Sequence, residues 1–514
     1  VNFCEEVLME LIVIGSAIAG YLLVLTVLNF IRARRVQTGE QMMVASRSLS
    51  MWVVVFTLVC TWIGSGTFIA GAEYAYYAGW SSLWMPAGAW IGIAIIYFLA
   101  ARIRRFGQYT VGDILEARYG KFARLFGAVA IIISFTTIVA YQFRAGGYII
   151  NVVTDGRVSV AVGQAVSALF VILFTGLGGM VAVAYTDLPN GIVILLACII
   201  SVPFVVVKAG GLEHAKDVLP AGHFAVFSPD FGRFPVLKGL SYCLSTLFLL
   251  LGIQSMYQKF YAARTPREAK GAVLLWIVGT IVVEVIVIVI AIYARVYDLE
   301  HGLRWDPRSM VLQAARHMVP LPVGVLLLGA ATAVVISTGM NYLLSPSTNC
   351  IRDIYQRFIK PDEDPKRLVA IQKITIVVLG VVAFLMVYAP THFGLSISVL
   401  QYAYFAYTIY GVAITPALIA ALAWRRATKA GGLLCITLGT ITVIFIEVIV
   451  PRAFPEIMQS ASKEDIFGKD PFGIPGIFVA LLVSCSSLII GSLLSKPQNP
   501  EVIKRIFEGT EASK

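Results

Sequence analysis

The chain has 514 residues, of which 58% are hydrophobic and 13% charged, against about 25% charged in an ordinary soluble domain. Those percentages leave about 298 apolar positions, enough for about 13 helical spans at roughly 20 residues each. A secreted enzyme, a cytosolic catalytic domain and a β-barrel are excluded. The net charge of +11 points to nucleic acid or to loop orientation, and only the location of the charges decides between them.

Thirteen apolar runs are predicted as spans, at about 9–31, 52–72, 80–102, 125–153, 159–177, 183–207, 236–257, 271–294, 319–345, 369–389, 394–423, 431–451 and 473–495. Glu5, Glu6 and Glu10 flank the first run, which lacks a basic leader and reads as a retained helix. With the N-terminus outside, 27 of the 40 Lys and Arg fall in inner segments, 12 in outer segments, and Arg144 lies within a span. Every inner loop shares the bias, so the positive charge is an orientation signal with the C-terminus in the cytoplasm. Nucleic acid drops out as a partner, and the expected setting is the cell (inner) membrane with its lipid bilayer.

Spans 2–6 and 7–11 form two sets of five. Five is odd, so the second set enters the membrane in the opposite sense, as in the inverted repeats of secondary transporters. The predicted plan has five parts. Residues 1–51 hold the outer N-terminus, the first helix and a basic loop; 52–207 are the first repeat; 208–235 are an outer loop; 236–423 are the second repeat; 424–514 are two further helices and a tail.

The informative residues are those that break the apolar pattern. Span 2 carries Ile63-Gly64-Ser65-Gly66-Thr67 at its middle, and span 7 carries Leu251-Gly252-Ile253-Gln254. Each is the first helix of its set. Glycine lowers the cost of unwinding, and freed carbonyls can coordinate a cation; the alternative is that Gly64 and Gly66 only permit close helix packing. Span 9 offers the adjacent hydroxyls of Ser337 and Thr338, with the Val334 carbonyl one turn earlier. They suit a hard cation, or simply bond back to the preceding turn.

Span 4 carries Arg144 on a polar, aromatic face. A guanidinium inside the membrane is costly and suits a substrate carboxylate. The alternatives are an ion pair with Glu73 or Glu284, or reach to the outer surface. Asp187 precedes Pro189 and reads as the N-cap of span 6 or as a carboxylate on an inward cation path. The seven Cys show no CxxC spacing, and the five His (His214, His223, His301, His317 and His392) are expected in loops, so neither type is given a metal role.

From Ala45 to Gly431 the chain resembles the sodium/solute symporter family, which includes sodium-coupled glucose, proline, pantothenate and sialic acid carriers. The residues that carry the resemblance are Ala45-Ser46-Arg47-Ser48-Leu49, Trp62 to Phe68, Gly178-Gly179 with Thr186-Asp187, and Gln258-Lys259 with Ala262-Ala263 and Ala269. Ser337-Thr338, Asp353-Ile354-Tyr355 and Trp424 to Thr428 with Gly431 complete the set.

The resemblance implies an all-α LeuT-like 5+5 fold, no enzymatic activity, and sodium held by the carbonyls of Cys60, Ile63 and Val334 and the hydroxyls of Ser337 and Thr338. Met340 and Asn341 depart from the serines of a second sodium site in some relatives, which implies one sodium per cycle, with Asp187 assisting its release. It places solute contacts near Thr67, Thr246, Leu249 and Tyr407, with Glu73 and Arg144 added to that group. Leu249 and Leu250 argue against a hexose. Arg144 resembles the arginine that sialic acid carriers set against a carboxylate, so the expected cargo is a small, carboxylate-bearing organic solute. The competing expectations are a proton-coupled carrier of the same fold and a transporter-like sensor. About 19 residues follow span 13, too few for a fused signalling domain.

Overall fold

The computed structural model describes residues 2–33, 39–106, 109–392, 398–460 and 467–507. The basic loop residues 34–38, the first residues expected of span 11 (394–397) and the tail 508–514 lie outside the described residues. Almost everything described is helix; the two short strands Met458–Ser460 and Lys469–Pro471 pair antiparallel in one loop.

Twelve described segments are long and apolar enough to cross a membrane. The expectation was thirteen, and the difference lies in span 2. Its first half, Met51–Trp62, is short on its own; its second half, Gly66–Gly71 continuing as Ala72–Ala78, runs by a turn at Gly79 into span 3, Trp84–Phe106. Spans 5 and 6 occupy Val160–Lys208, and the chain reverses between them at Gly179, whose φ of 53° suits glycine. Asp187 therefore stands eight residues inside a helix. The N-cap expectation for it is overturned, because span 6 begins earlier and absorbs Pro189. The histidines are corrected too: His214 lies in the short helix Gly211–Val218, and His301, His317 and His392 close helices.

Both expected breaks are present. The backbone at Ile63 is extended (ψ 98°), and helix resumes at Ser65. At the second break α-helix Pro235–Gly252 gives way at Ile253 (ψ 114°) to Gln254–Ala262. A broken backbone in hydrocarbon needs new partners. Tyr410 supplies them at span 7: its hydroxyl donates to Gly252 O at 2.7 Å and accepts from Gln254 N at 2.9 Å. Span 11, Val399–Ala413, itself breaks at Ile414 before Thr415–Ala423.

Span 9, Leu321–Asn349, packs on spans 4, 5 and 6 and lies against the break of span 2. The approach is close: a Cβ built on Gly64 would sit 2.8 Å from Thr338 Cγ2. Gly64→Ala is expected to wedge these helices apart and cost about 1–3 kcal/mol of stability. A thermal-shift measurement on purified protein checks this, and an unchanged midpoint would contradict it.

On the basic side of the bundle, Arg124 at the start of span 4 (Lys121–Val153) binds Asp113 at 2.8 Å, Glu116 at 2.7 Å and Asp353 at 2.6 Å. Glu116 lies outside the spans. Burial pushes its carboxyl up, but hydrogen bonds from Arg124 and Arg357 outweigh that and hold it below the ordinary value. Asp353 also accepts from Asn349, and Asn349 pairs with Gln254 at the span 7 break. The break is thus tied to the loop network by a continuous chain of hydrogen bonds.

Candidate functional site

Five oxygens converge where span 9 crosses span 2. Thr338 Oγ1 donates to Cys60 O at 2.9 Å and to Ile63 O at 3.1 Å. Ser337 Oγ reaches Cys60 O and Val334 O, each at 3.4 Å. All five residues are buried. The break at Ile63 turns the span 2 carbonyls toward the hydroxyls, and Gly64 lets the two backbones meet. Neutral oxygens at this spacing form a set suited to a small hard cation once the hydroxyl protons rotate away.

One helical turn further along span 9 lies a charged group. Asp187 Oδ2 accepts from Thr57 Oγ1 at 2.5 Å and from Asn341 Nδ2 at 3.1 Å. Asn341 Oδ1 accepts from Lys259 Nζ. Asn341 also donates to Ser337 O at 2.9 Å, and Cys60 Sγ donates to Asp187 O at 3.2 Å. The buried Asp187–Asn341–Lys259 relay therefore touches two residues of the oxygen cluster. Lys259 was quoted only as part of a motif in the sequence; its partnership depends on how span 7 folds past its break.

Beside the break of span 2 opens a cavity with about 410 Å³ unfilled by atoms, its mouth included. Trp62, Gly66, Thr67, Thr246, Glu284 and Tyr407 contribute to its wall. Gly66 is required here, since a Cβ on it would lie 2.5 Å from Tyr407 Oη. Glu284, from the middle of span 8 (Pro266–His301), is 4% exposed. Its carboxylate accepts from Trp62 Nε1 at 2.9 Å and from Trp90 Nε1 at 2.6 Å.

Of the six expected solute contacts, the cavity gathers Thr67, Thr246 and Tyr407 and leaves out Glu73, Arg144 and Leu249. Glu73 binds Arg308 at 3.2 Å and Leu400 N at 3.4 Å. Leu249 is fully buried against Gly411. Arg144 is buried in span 4 near Tyr402. Glu73 and Glu284, the acids named as its alternatives, bond Arg308 and Leu400 N, and Trp62 and Trp90, respectively. The Arg144 expected to clamp a carboxylate is not among the residues that line this cavity; the carboxylate there is Glu284. Its signal was in the sequence, as an acidic residue alone in an apolar run, but which face of span 8 it occupies was not.

A family model described as "Sodium:solute symporter family" matches residues 42–439. The chain belongs to the sodium:solute symporter family. It is 28% identical to the human high affinity choline transporter 1, over 71% of this chain and 66% of that one. It is 26% identical to the Escherichia coli sodium/pantothenate symporter, over 84% and 89%. It is 25% identical to the Bacillus subtilis high-affinity proline transporter PutP, over 74% and 84%. The chain thus spans just under two thirds of the choline transporter's length and most of the other two.

Among solved structures, a sodium-coupled sialic acid symporter in a substrate-bound outward-open state matches with a TM-score of 0.76, at 16% identity, over 95% of this chain and 98% of that one. A nucleobase-cation-symport-1 family transporter matches at 0.56, with 13% identity over 91% and 98%. These likenesses establish the LeuT-type fold of this symporter-family chain, an integral membrane protein.

Proposed function

We propose that this protein imports a small organic solute together with sodium by alternating access. The observation that carries the proposal is the convergence of the Cys60, Ile63 and Val334 carbonyls with the Ser337 and Thr338 hydroxyls at the break of span 2. Family membership and relatives that carry choline, proline and pantothenate support the class of cargo.

In this cycle sodium binds from the outside and clamps span 2 to span 9. That fixes Trp62, which stands between the carbonyls of Cys60 and Ile63 and forms part of the solute cavity. Spans 2, 3, 7 and 8 then rock against the remaining helices. Sodium leaves past Asp187 into a low-sodium cytoplasm, and the solute follows. One charge moving through the full field contributes about 2.3 kcal/mol per 100 mV. A ligand shifts such an equilibrium only by its differential affinity for the two states, and a cluster built across two moving parts supplies that difference.

Buried carboxylates, Asp187 and Glu73 together with Glu284, give the proton-coupled alternative its foothold. Replacing sodium by potassium at fixed pH separates the two. Uptake into proteoliposomes is expected to stop without sodium and to show no dependence on an imposed pH gradient. Uptake driven by that gradient in potassium would overturn sodium coupling.

A further inference from the structure

We infer that the cavity selects a solute bearing a positively charged ammonium group, and that Glu284 is its counter-ion. The inference rests on the symporter reading above and names the chemistry of its cargo.

Three observations point the same way. First, among the described residues Glu284 is the carboxylate at the cavity wall, and no lysine, arginine or histidine lines it there. Its two oxygens are held by Trp62 and Trp90, which are neutral donors. Two indole N–H groups orient a carboxylate without cancelling its charge. An intramembrane anion of this kind is costly unless a cation joins it, and the cavity is where a cation from outside reaches it.

Second, several of the donors that an anionic solute needs are already engaged. The Trp62 indole serves Glu284. The Thr246 hydroxyl bonds the carbonyls of Met85, Tyr242 and Cys243 at 2.5, 3.0 and 3.1 Å. The Tyr407 hydroxyl pairs with that of Tyr141 at 3.2 Å. A carboxylate entering here would meet the Glu284 charge with neutral hydroxyls such as that of Ser82 as its donors and no cation on the wall, and such a charge mismatch is a strong source of selectivity.

Third, the wall carries aromatic and apolar residues beside its hydroxyls and Glu284. Trp62 and Tyr407 line it together with Met85, Pro86 and Ile288. An ammonium is attracted to aromatic faces, most strongly to indole, and its alkyl substituents gain from apolar neighbours. Trp62 thus serves the site twice: it orients Glu284, and it stands in the segment whose carbonyls face Ser337 and Thr338. A cation seated on Glu284 fixes the side chain next to the sodium ligands, so solute and sodium each raise the other's affinity.

The test uses the purified full chain in detergent and reads thermal stabilisation. Sodium chloride is compared with potassium chloride, with and without tetramethylammonium, choline, acetate or pantothenate as probes. Sodium alone is expected to stabilise. At least one of the ammonium probes is expected to stabilise further in sodium, and acetate and pantothenate are not. Glu284→Gln keeps the size and the indole acceptor and is expected to weaken the ammonium response by about tenfold or more, leaving the sodium response in place. Glu284→Asp, which keeps the charge, is expected to retain more of the ammonium response than Glu284→Gln, and is the comparison if the amide variant is unstable.

No response to any ammonium probe, a response confined to acetate or pantothenate, or an ammonium response unchanged in Glu284→Gln would each overturn the inference while sodium stabilisation stood. Loss of sodium stabilisation itself would instead overturn the symporter reading.

Discussion

Ser337→Ala/Thr338→Ala is expected to abolish sodium-stimulated uptake while the protein still inserts and folds. The double change removes two of the five oxygens at the span 2–span 9 crossing and leaves the three carbonyls. Those hydroxyls hydrogen-bond to the carbonyls, Thr338 at 2.9 and 3.1 Å and Ser337 at 3.4 Å. Binding sodium means turning the hydroxyl protons outward, so the ion replaces hydrogen bonds of modest net worth. Removing both hydroxyls therefore subtracts ligands without freeing a deep alternative, and sodium affinity is expected to fall by about a hundredfold, about 2.7 kcal/mol. Thr338→Ser keeps the oxygen, and its half-saturating sodium concentration is expected to stay within about threefold of the parent, under about 1 kcal/mol. An unchanged sodium dependence in the double variant would sink the assignment of this cluster. Loss of insertion is controlled by the apolar surroundings: both side chains are small, and Ala adds no bulk against Gly64.

The broad architecture was legible because it depends on local chemistry. Runs of apolar residues make spans, odd-numbered sets invert, and glycines at Gly64 and Gly252 mark where a helix can open. The oxygen cluster was legible for the same reason, since Ser337, Thr338 and the Val334 carbonyl share one turn and the family resemblance supplied their partners on span 2. Arg144 and Glu284 show where this stops. Each breaks an apolar run, and each is equally conspicuous in the sequence. Which of them faces the cavity depends on the rotation of spans 4 and 8 about their own axes, set by packing with helices far away in the chain. Asp187 failed for a different reason: proline within the first turn of a helix is common, and the turn that starts span 6 was hidden in the Gly178-Gly179 pair eight residues earlier. The partnership of Lys259 needed the break at Ile253 and the crossing of spans 7 and 9 together.

Lys259→Met is expected to destabilise the protein by about 3 kcal/mol, as removal of one member of a buried charge pair does. Lys259 and Asp187 are both fully buried, and Asn341 stands between them, accepting from the ammonium and donating to the carboxylate. Taking away the ammonium leaves Asp187 with hydrogen bonds from Thr57 and Asn341 but no positive charge. Lys259→Met/Asp187→Asn removes both charges and is expected to recover most of the lost stability, because a neutral pair pays no penalty for burial of an uncompensated ion. Thermal unfolding of the two variants beside the parent measures this, and a double variant no more stable than the single one would show that the charges do not pair. Uptake carries separate information. If Asp187 guides sodium out of the cluster, the double variant is stable and slow, with sodium binding intact and turnover reduced. If the pair is only structural, the double variant regains uptake along with stability, and Asp187 has no part in the cycle. The expected result is the former, because the relay is joined directly to the cluster through Asn341 on Ser337 O and Cys60 on Asp187 O, so a change of charge at Asp187 is felt at two residues of the oxygen cluster at once.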